Sequence, residues 1–192
     1  MTYAQEFEAV DLVLSSNAET RGVDAFALAL IKCERQVRRL LTHVVFQYPC
    51  FGCTEISALR SSLSGNRKVY FEGFIRGFDA IYPRSIRDLI GPSFDQLRPR
   101  LDEAIDHRNK IFHGQLTSKR LNRDDLLGYV TDIRSWCKAL ADAALAEIGY
   151  DGFARNSFRK SGRTRLWERC KIQLTDVAAY EQFIQQHMQR RP

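Results

Sequence analysis

Residues 106–115 read Asp-His-Arg-Asn-Lys-Ile-Phe-His-Gly-Gln and close a long amphipathic segment that begins near Pro92. At about 100° per residue, the apolar side chains of this segment fall on one stripe of a helix. These side chains are Leu101, Ala104, Ile105, Ile111 and Phe112. Arg108 lies in the middle of the stripe, where a guanidinium is costly unless it is paired. Gly114 can adopt the left-handed conformation that ends a helix. The segment therefore predicts a helix over residues 92–114 with an arginine, an amide and an imidazole at its end.

Arg108, Asn109 and His113 resemble the signature of the HEPN superfamily, in which an arginine and a polar residue precede a histidine after a short spacer. That superfamily consists of small helical bundles, many of which are metal-independent ribonucleases in toxin–antitoxin, phage-defence and RNA-processing systems. The resemblance implies an HEPN-like antiparallel helical bundle with these three residues as catalytic groups. It further implies RNA as substrate, no cofactor, a homodimer with a composite active site, and an antitoxin or defence-system partner. Some members carry a modifiable tyrosine two residues after the histidine; Gln115 stands there, which speaks against that subgroup.

The chemistry of RNA cleavage fits these residue types. RNA carries its own nucleophile, the 2′-hydroxyl, so the reaction needs a base, an acid and positive charge at the phosphorus. Histidine suits both proton transfers because its unperturbed pKa is about 6.5. Arginine is permanently ionised and can bind two phosphate oxygens with its forked guanidinium. Since one motif supplies one imidazole, two chains related by a twofold axis would each contribute His113. The expected products are a 2′,3′-cyclic phosphate and a 5′-hydroxyl end.

The same residues also have a structural interpretation. Arg108 would then pair within the chain with a carboxylate such as Asp102 or Glu34, and His113 would hydrogen-bond at the helix end. Two other functions remain open beside the nuclease: a non-catalytic HEPN-like module that binds RNA or nucleotides as a scaffold, and a helical interaction protein. His107 is a weaker candidate for acid–base chemistry, because it points about a quarter-turn away from Arg108.

Basic residues concentrate in one part of a chain whose net charge is +6. Residues 154–171 contain seven lysines and arginines against one acid, Glu168. Phe153 and Phe158 are interleaved with them, and a basic loop with aromatics over residues 152–165 suits single-stranded RNA. A solvated loop anchored by its phenylalanines is the alternative. This loop and the connector after the motif supply the predicted RNA-binding residues: Lys119, Arg120, Arg123, Arg159, Lys160, Arg163 and Arg165.

The rest of the pattern is helical and predicts an all-α fold, a bundle with additional short helices and a basic loop. Helices are predicted over residues 2–14, 24–46, 54–63, 68–82, 123–148 and 176–188. Most of the outer charges of the second predicted helix are expected to meet water, although Glu34 and Arg38 are one turn apart and could pair. These outer charges are Lys32, Glu34, Arg35, Arg38 and Arg39. Aromatics at every fourth position of the fourth predict a core stripe, and Gly73 and Gly77 predict close helix packing. The aromatics of that stripe are Tyr70, Phe74, Phe78 and Tyr82.

A chain of 192 residues is long enough for one domain with a substantial core. We expect residues 1–150 to form the bundle and residues 151–192 to add the basic loop and a C-terminal helix packed on it. No segment approaches the ~20 apolar residues of a membrane span, and a secretory signal is lacking, so a cytoplasmic protein is expected. The odd number of cysteines, five, favours reduced thiols. Cys50 and Cys53 have half of a zinc or redox spacing without a second ligand pair, so no metal site is predicted.

Overall fold

The computed structural model of the protein describes residues 2–66, 69–117, 121–154, 156–162 and 165–189. Within these ranges the chain is a helical bundle without a strand, which confirms the predicted all-α class. None of the helices in these ranges is long and apolar enough to cross a membrane. In chain order the helices are α1 (Tyr3–Ser15), α2 (Arg21–Phe46), α3 (Ile56–Ser64), α4 (Phe71–Ile81), α5 (Ile86–Ile90), α6 (Phe94–Phe112), α7 (Arg123–Ile148) and α8 (Val177–Phe183). A π-helical turn, Ile184–Met188, extends α8.

Two helices of 26 residues each, α2 and α7, form the centre of the bundle. Phe26 lies beside Tyr129 with ring centroids 5.8 Å apart, and further along both helices Gln36 Nε2 donates to the Cys137 carbonyl at 2.9 Å. Because contacts advance in the same direction along both chains, α2 and α7 run parallel. The four helices α3 to α6 lie between them in sequence and carry the chain back to the same end of the bundle.

Helix α6 packs on α7 in the opposite direction. Phe94 near the start of α6 lies against Trp136, with centroids 5.4 Å apart, and His107 near its end lies against Tyr129. The predicted antiparallel arrangement therefore holds for α6 against α7, but not for α2 against α7. This orientation brings the end of α6 beside the middle of α2.

The ends of the helices follow local signals in most cases. Thr2 caps α1 and Asn122 caps α7, each by a reciprocal capping box. The predicted start of the second helix at Asp24 was wrong, since α2 begins at Arg21. Gly22 is buried, and a Cβ there would lie 3.3 Å from Arg123 Cγ, so packing against α7 holds an additional turn of helix in place.

Helix α4 shows the close packing predicted from its glycines. A side chain at Gly73 would collide with the Met188 carbonyl, and a Cβ at Gly77 would lie 2.8 Å from Met188 Cγ. The predicted aromatic core stripe was only partly correct, because Phe78 is buried whereas Tyr70 is exposed. The face that α4 buries carries Phe71, Gly73, Ile75, Gly77, Phe78 and Ile81.

The C-terminal part of the chain shares the core of the bundle. Phe153, Leu174 and Met188 belong to the same hydrophobic cluster as α2 and α7. The Lys171 amide also donates to the Ile81 carbonyl at 2.9 Å. Residues beyond 150 thus complete the packing surface of α4 and the end of α2.

Candidate active site

The motif helix ends as its sequence predicts. Gly114 has a φ of 63°, in the left-handed region. Its amide donates to the Ile111 carbonyl at 3.1 Å, and the Gln115 amide donates to Lys110 at 2.9 Å. These two bonds satisfy carbonyls that the last turn of a helix leaves unpaired. His113 is therefore held as the residue that caps α6, directly after Phe112 and before the reversal.

Arg108 is paired inside the chain with a carboxylate from α2. Its Nη2 lies 2.5 Å from Glu34 Oε1, and its Nη1 lies 3.5 Å from Oε2, so both prongs of the guanidinium face one acid. The Arg108 and Glu34 side chains are 19% and 28% exposed, whereas Arg108 Nε is buried and makes no hydrogen bond to the described residues. The pairing explains how an arginine is accommodated on an apolar stripe. It matches the structural interpretation of Arg108, with Glu34 rather than Asp102 as partner; Asp102 pairs with Arg98.

The other two motif residues face the solvent. Asn109 and His113 are both exposed, and neither side chain has a hydrogen-bond partner within the part of the chain that is described. His113 is five positions after Arg108, which corresponds to about 140° around a helix. Within one chain the guanidinium and the imidazole therefore point in different directions. Within one chain the three motif residues lie together at the end of α6, but the side chains of Arg108 and His113 do not converge on one substrate group.

His107 is buried, in contrast to its neighbours in the motif. Only 2% of the residue is exposed, and neither ring nitrogen makes a hydrogen bond among the described residues. Its Nε2 lies 3.8 Å from Glu103 Oε1, and its ring lies 5.5 Å from the Tyr129 ring. The inward face of α6 thus runs through Leu101, Ala104 and His107, and the predicted placement of Phe112 on that face was wrong.

Apolar side chains are exposed around the end of α6. Phe112 is 59% exposed, Leu116 is 96% exposed, and Ile31 on α2 is 48% exposed. Ile31 lies one turn before Glu34, and Phe112 lies one turn after Arg108. Because α6 runs antiparallel to α2, both side chains lie on the same side of the ion pair. We call Ile31, Phe112 and Leu116 the motif patch. Grouped exposed apolar side chains of this kind mark interaction surfaces more often than scattered ones.

The basic arm, residues 152–154 and 156–162, is bound to the end of α2. Lys160 Nζ donates to the carbonyls of Phe46 (at 2.5 Å) and Tyr48 (at 2.7 Å), so this amine satisfies acceptors at the end of the helix. The Arg159 side chain is exposed, although its carbonyl accepts from Gln47. This segment is a loop, as predicted, and hydrogen bonds attach it to the end of α2.

The other predicted RNA-binding residues are dispersed. Arg123 is exposed at the first turn of α7, and exposed Arg165 pairs with Glu168 at 3.5 Å. Lys119, Arg120 and Arg163 lie outside the described residues. The predicted RNA-binding residues thus do not form one continuous group within the described ranges.

The charged face of α2 is less exposed to solvent than the sequence predicted. Lys32 was expected in water, but it is buried and its Nζ lies 3.0 Å from Glu6 Oε1. Arg35 pairs with the same carboxylate. The sequence did contain a signal for this contact. The spacing of Lys32 and Arg35 places both on one face of α2, and Glu6 in the first turns of α1 is an acid that can pair with them. Arg38, which follows them, is exposed.

The cysteines are free thiols, and Cys50 Sγ donates to the Leu174 carbonyl at 3.2 Å. Among the described residues, no three histidine, cysteine or acidic side chains lie close enough to share a metal ion. Comparisons of the chain with protein-family models, with curated proteins and with solved structures found no match.

Proposed function

We propose that the chain is a metal-independent endoribonuclease of HEPN type that works as a homodimer. The observation that carries the proposal is the position of His113: an exposed imidazole at a glycine-terminated helix end, directly beside the motif patch. A second copy that covers this patch through a twofold axis would bring two imidazoles to one groove. The Arg108 and His113 side chains of one chain are then expected to point in different directions, because each copy completes the site of the other.

In this dimer the imidazole of His113 takes the proton of the 2′-hydroxyl, and the oxygen attacks the adjacent phosphorus. The bond from phosphorus to the 5′-oxygen breaks, and the imidazole of the second copy donates a proton to the leaving oxygen. Arg108 supplies the charge for the pentacoordinate phosphorus once a phosphate oxygen replaces the Glu34 carboxylate. Asn109 orients a phosphate oxygen or the imidazole. The products are a 2′,3′-cyclic phosphate and a 5′-hydroxyl.

The decisive experiment incubates the purified protein with RNA in EDTA and determines the end groups of the fragments. We expect cleavage that leaves cyclic phosphate, and a loss of about 100-fold or more in His113→Ala. Gln115→Ala, which changes an exposed residue next to the motif, serves as the matched control and should cleave normally. Fragments with 3′-hydroxyl ends, or equal activity in His113→Ala, would contradict the proposal.

A second candidate function is favoured by one observation, the pairing of Arg108 with Glu34, since a guanidinium already neutralised needs no phosphate. In that case the chain is a non-catalytic module that binds RNA or nucleotides as a scaffold, or a helical interaction protein. RNA binding by the wild type without cleavage selects the scaffold; absence of both selects the interaction protein. For the nuclease we further propose a cytoplasmic toxin or defence role with an antitoxin or defence-system partner. Growth arrest on expression, relieved by His113→Ala, tests that role.

A further inference from the structure

The middle of α2 carries more positive charge than its acids neutralise. The cations there are Lys32, Arg35, Arg38, Arg39 and, from α6, Arg108. Glu6 pairs with both Lys32 and Arg35, and Glu34 pairs with Arg108. A third acid, Asp151, lies near Tyr150, as do Arg35 and Arg39. Arg38 is exposed and has no acidic partner among the described residues. A net charge of +2 thus remains from these groups and favours a polyanion.

The guanidinium groups are close enough to disfavour one another's charge. The pKa of Arg35 is lowered, first by burial and then by the positive charges of Arg39 and Arg38. Arg35 Nε is buried and has no hydrogen-bond partner in the described part of the chain. Repulsion of this kind is relieved when anions bind between the cations.

The basic arm lies along the neighbouring face of α2. Three side chains on one face of α2 donate hydrogen bonds to backbone carbonyls of the arm, in the same order along both segments. Arg39 Nη1 donates to Phe153 (3.2 Å) and Ala154 (3.5 Å). His43 Nδ1 donates to Ser157 (3.2 Å), and Gln47 Nε2 donates to Arg159 (3.1 Å). The arm therefore runs in the direction of α2, with carbonyls towards the helix. The Arg159 side chain remains exposed to solvent at its far end.

We propose that Arg38 and Arg39 form a strip that binds the phosphate backbone of single-stranded RNA as the strand leaves the Arg108–His113 site. Arg39 binds the arm through Nη1, and its Nη2 and Nε make no such contact among the described residues. The inference rests on the proposed function. A single strand fits because in-line attack by the 2′-hydroxyl requires a nucleotide that is free to rotate, which a base-paired helix restricts. The strip begins one helical turn beyond Glu34, so a strand held at Arg108 meets Arg38 next.

The test measures binding of an unstructured, fluorescent oligouridylate with 2′-O-methyl groups, which cannot be cleaved by 2′-hydroxyl attack. For single strands the logarithm of the binding constant falls with the logarithm of salt concentration by about 0.7 per phosphate contacted. We expect Arg38→Gln to reduce this slope by about 0.7. Arg38→Lys should retain the wild-type slope.

Arg87→Gln is the matched control, because it removes the same charge from an exposed arginine that pairs with Asp95 on another face. Its slope should equal that of the wild type. A slope for Arg38→Gln equal to that of Arg87→Gln would overturn the strip, as would the absence of binding. Tighter binding of duplex RNA or of anionic lipid vesicles would show that the strip has another occupant.

The same variants separate this inference from the proposed function. With cleavable RNA, Arg38→Gln should raise KM and leave kcat unchanged, since the strip binds ground and transition states alike. If the wild type does not cleave RNA but the slopes change as expected, the nuclease proposal fails and the strip stands. If it cleaves and the slopes are unchanged, the strip fails and the nuclease proposal stands.

Discussion

Replacing Glu34 by glutamine removes the negative charge that faces Arg108 and keeps the size of the side chain. The Arg108 and Glu34 side chains are 19% and 28% exposed, so water screens the pair only in part. Fully exposed pairs contribute about 0.2–1 kcal/mol, and breaking a fully buried pair costs about 3–5 kcal/mol. Between these limits we expect Glu34→Gln to lower the free energy of unfolding by roughly 1–2 kcal/mol.

The assay is a double-mutant cycle from urea unfolding at neutral pH, with Glu34→Gln, Arg108→Gln and the double variant. The coupling energy should be roughly 1 kcal/mol and should fall only slightly at high salt, because the pair is partly buried. A coupling energy indistinguishable from zero would show that the pair does not hold α6 against α2. The Arg108–Glu34 pair would then contribute nothing to the free energy of unfolding, contrary to our expectation.

The same variant tests whether Arg108 is available to a phosphate. If a phosphate replaces the Glu34 carboxylate, Glu34→Gln should bind RNA more tightly while folding less stably. If Arg108 is purely structural, stability should fall and RNA affinity should stay unchanged. Binding of 2′-O-methyl RNA and urea unfolding, measured on one preparation, distinguish these outcomes.

Four further substitutions test the packing of the bundle around the site. Gly73→Ala should destabilise by roughly 1–3 kcal/mol because of the clash with Met188. Gly128→Ala on α7, whose Cβ would make an ordinary contact with Arg100 Nη2 at 3.8 Å, should stabilise by up to about 1 kcal/mol. Urea unfolding measures both. Burial lowers the pKa of His43 to about 4 from 6.5. The unfolded chain therefore binds the extra proton, and on the order of 3 kcal/mol of stability is lost as pH falls from 6.5 to about 4. His43→Phe should flatten that pH dependence. Lys160→Met should cost roughly 1–2 kcal/mol in urea unfolding without changing the salt slope of RNA binding, because its amine is bound to carbonyls.

Sequence patterns predicted those features that depend on neighbouring residues. The end of α6 at Gly114 requires only a residue that tolerates a positive φ, and the capping box of α7 lies within four residues of Asn122. The close approach at Gly73 was also predictable, because a pair of glycines on one helix face is costly unless a backbone fills the space. The sequence did not predict that the backbone of Met188 is the one that fills this space.

The features that the sequence did not reveal depend on contacts between distant segments. Lys160 was predicted to bind RNA, yet its amine binds carbonyls of residues 46 and 48, more than 100 positions earlier in the chain. Lys32 was expected in water because its helical face carries several charges, yet Glu6 on α1 draws it into the interior. Periodicity assigns a side chain to a face, but only the packing of helices decides which faces are covered.

The motif itself shows the same division between local and distant causes. Spacing alone placed Arg108 on an inner stripe and His113 at the helix end, and both positions are correct. The identity of the counter-charge depended on α2, and among the two carboxylates considered the structure selects Glu34. Because the motif residues point about 140° apart, a nuclease built from one copy would hold its imidazole away from its guanidinium. The proposed chemistry therefore requires association through the motif patch. A Phe112→Glu variant that remains folded and monomeric should lose cleavage together with dimerisation, as followed by sedimentation and fragment analysis; full activity in that monomer would refute the composite site.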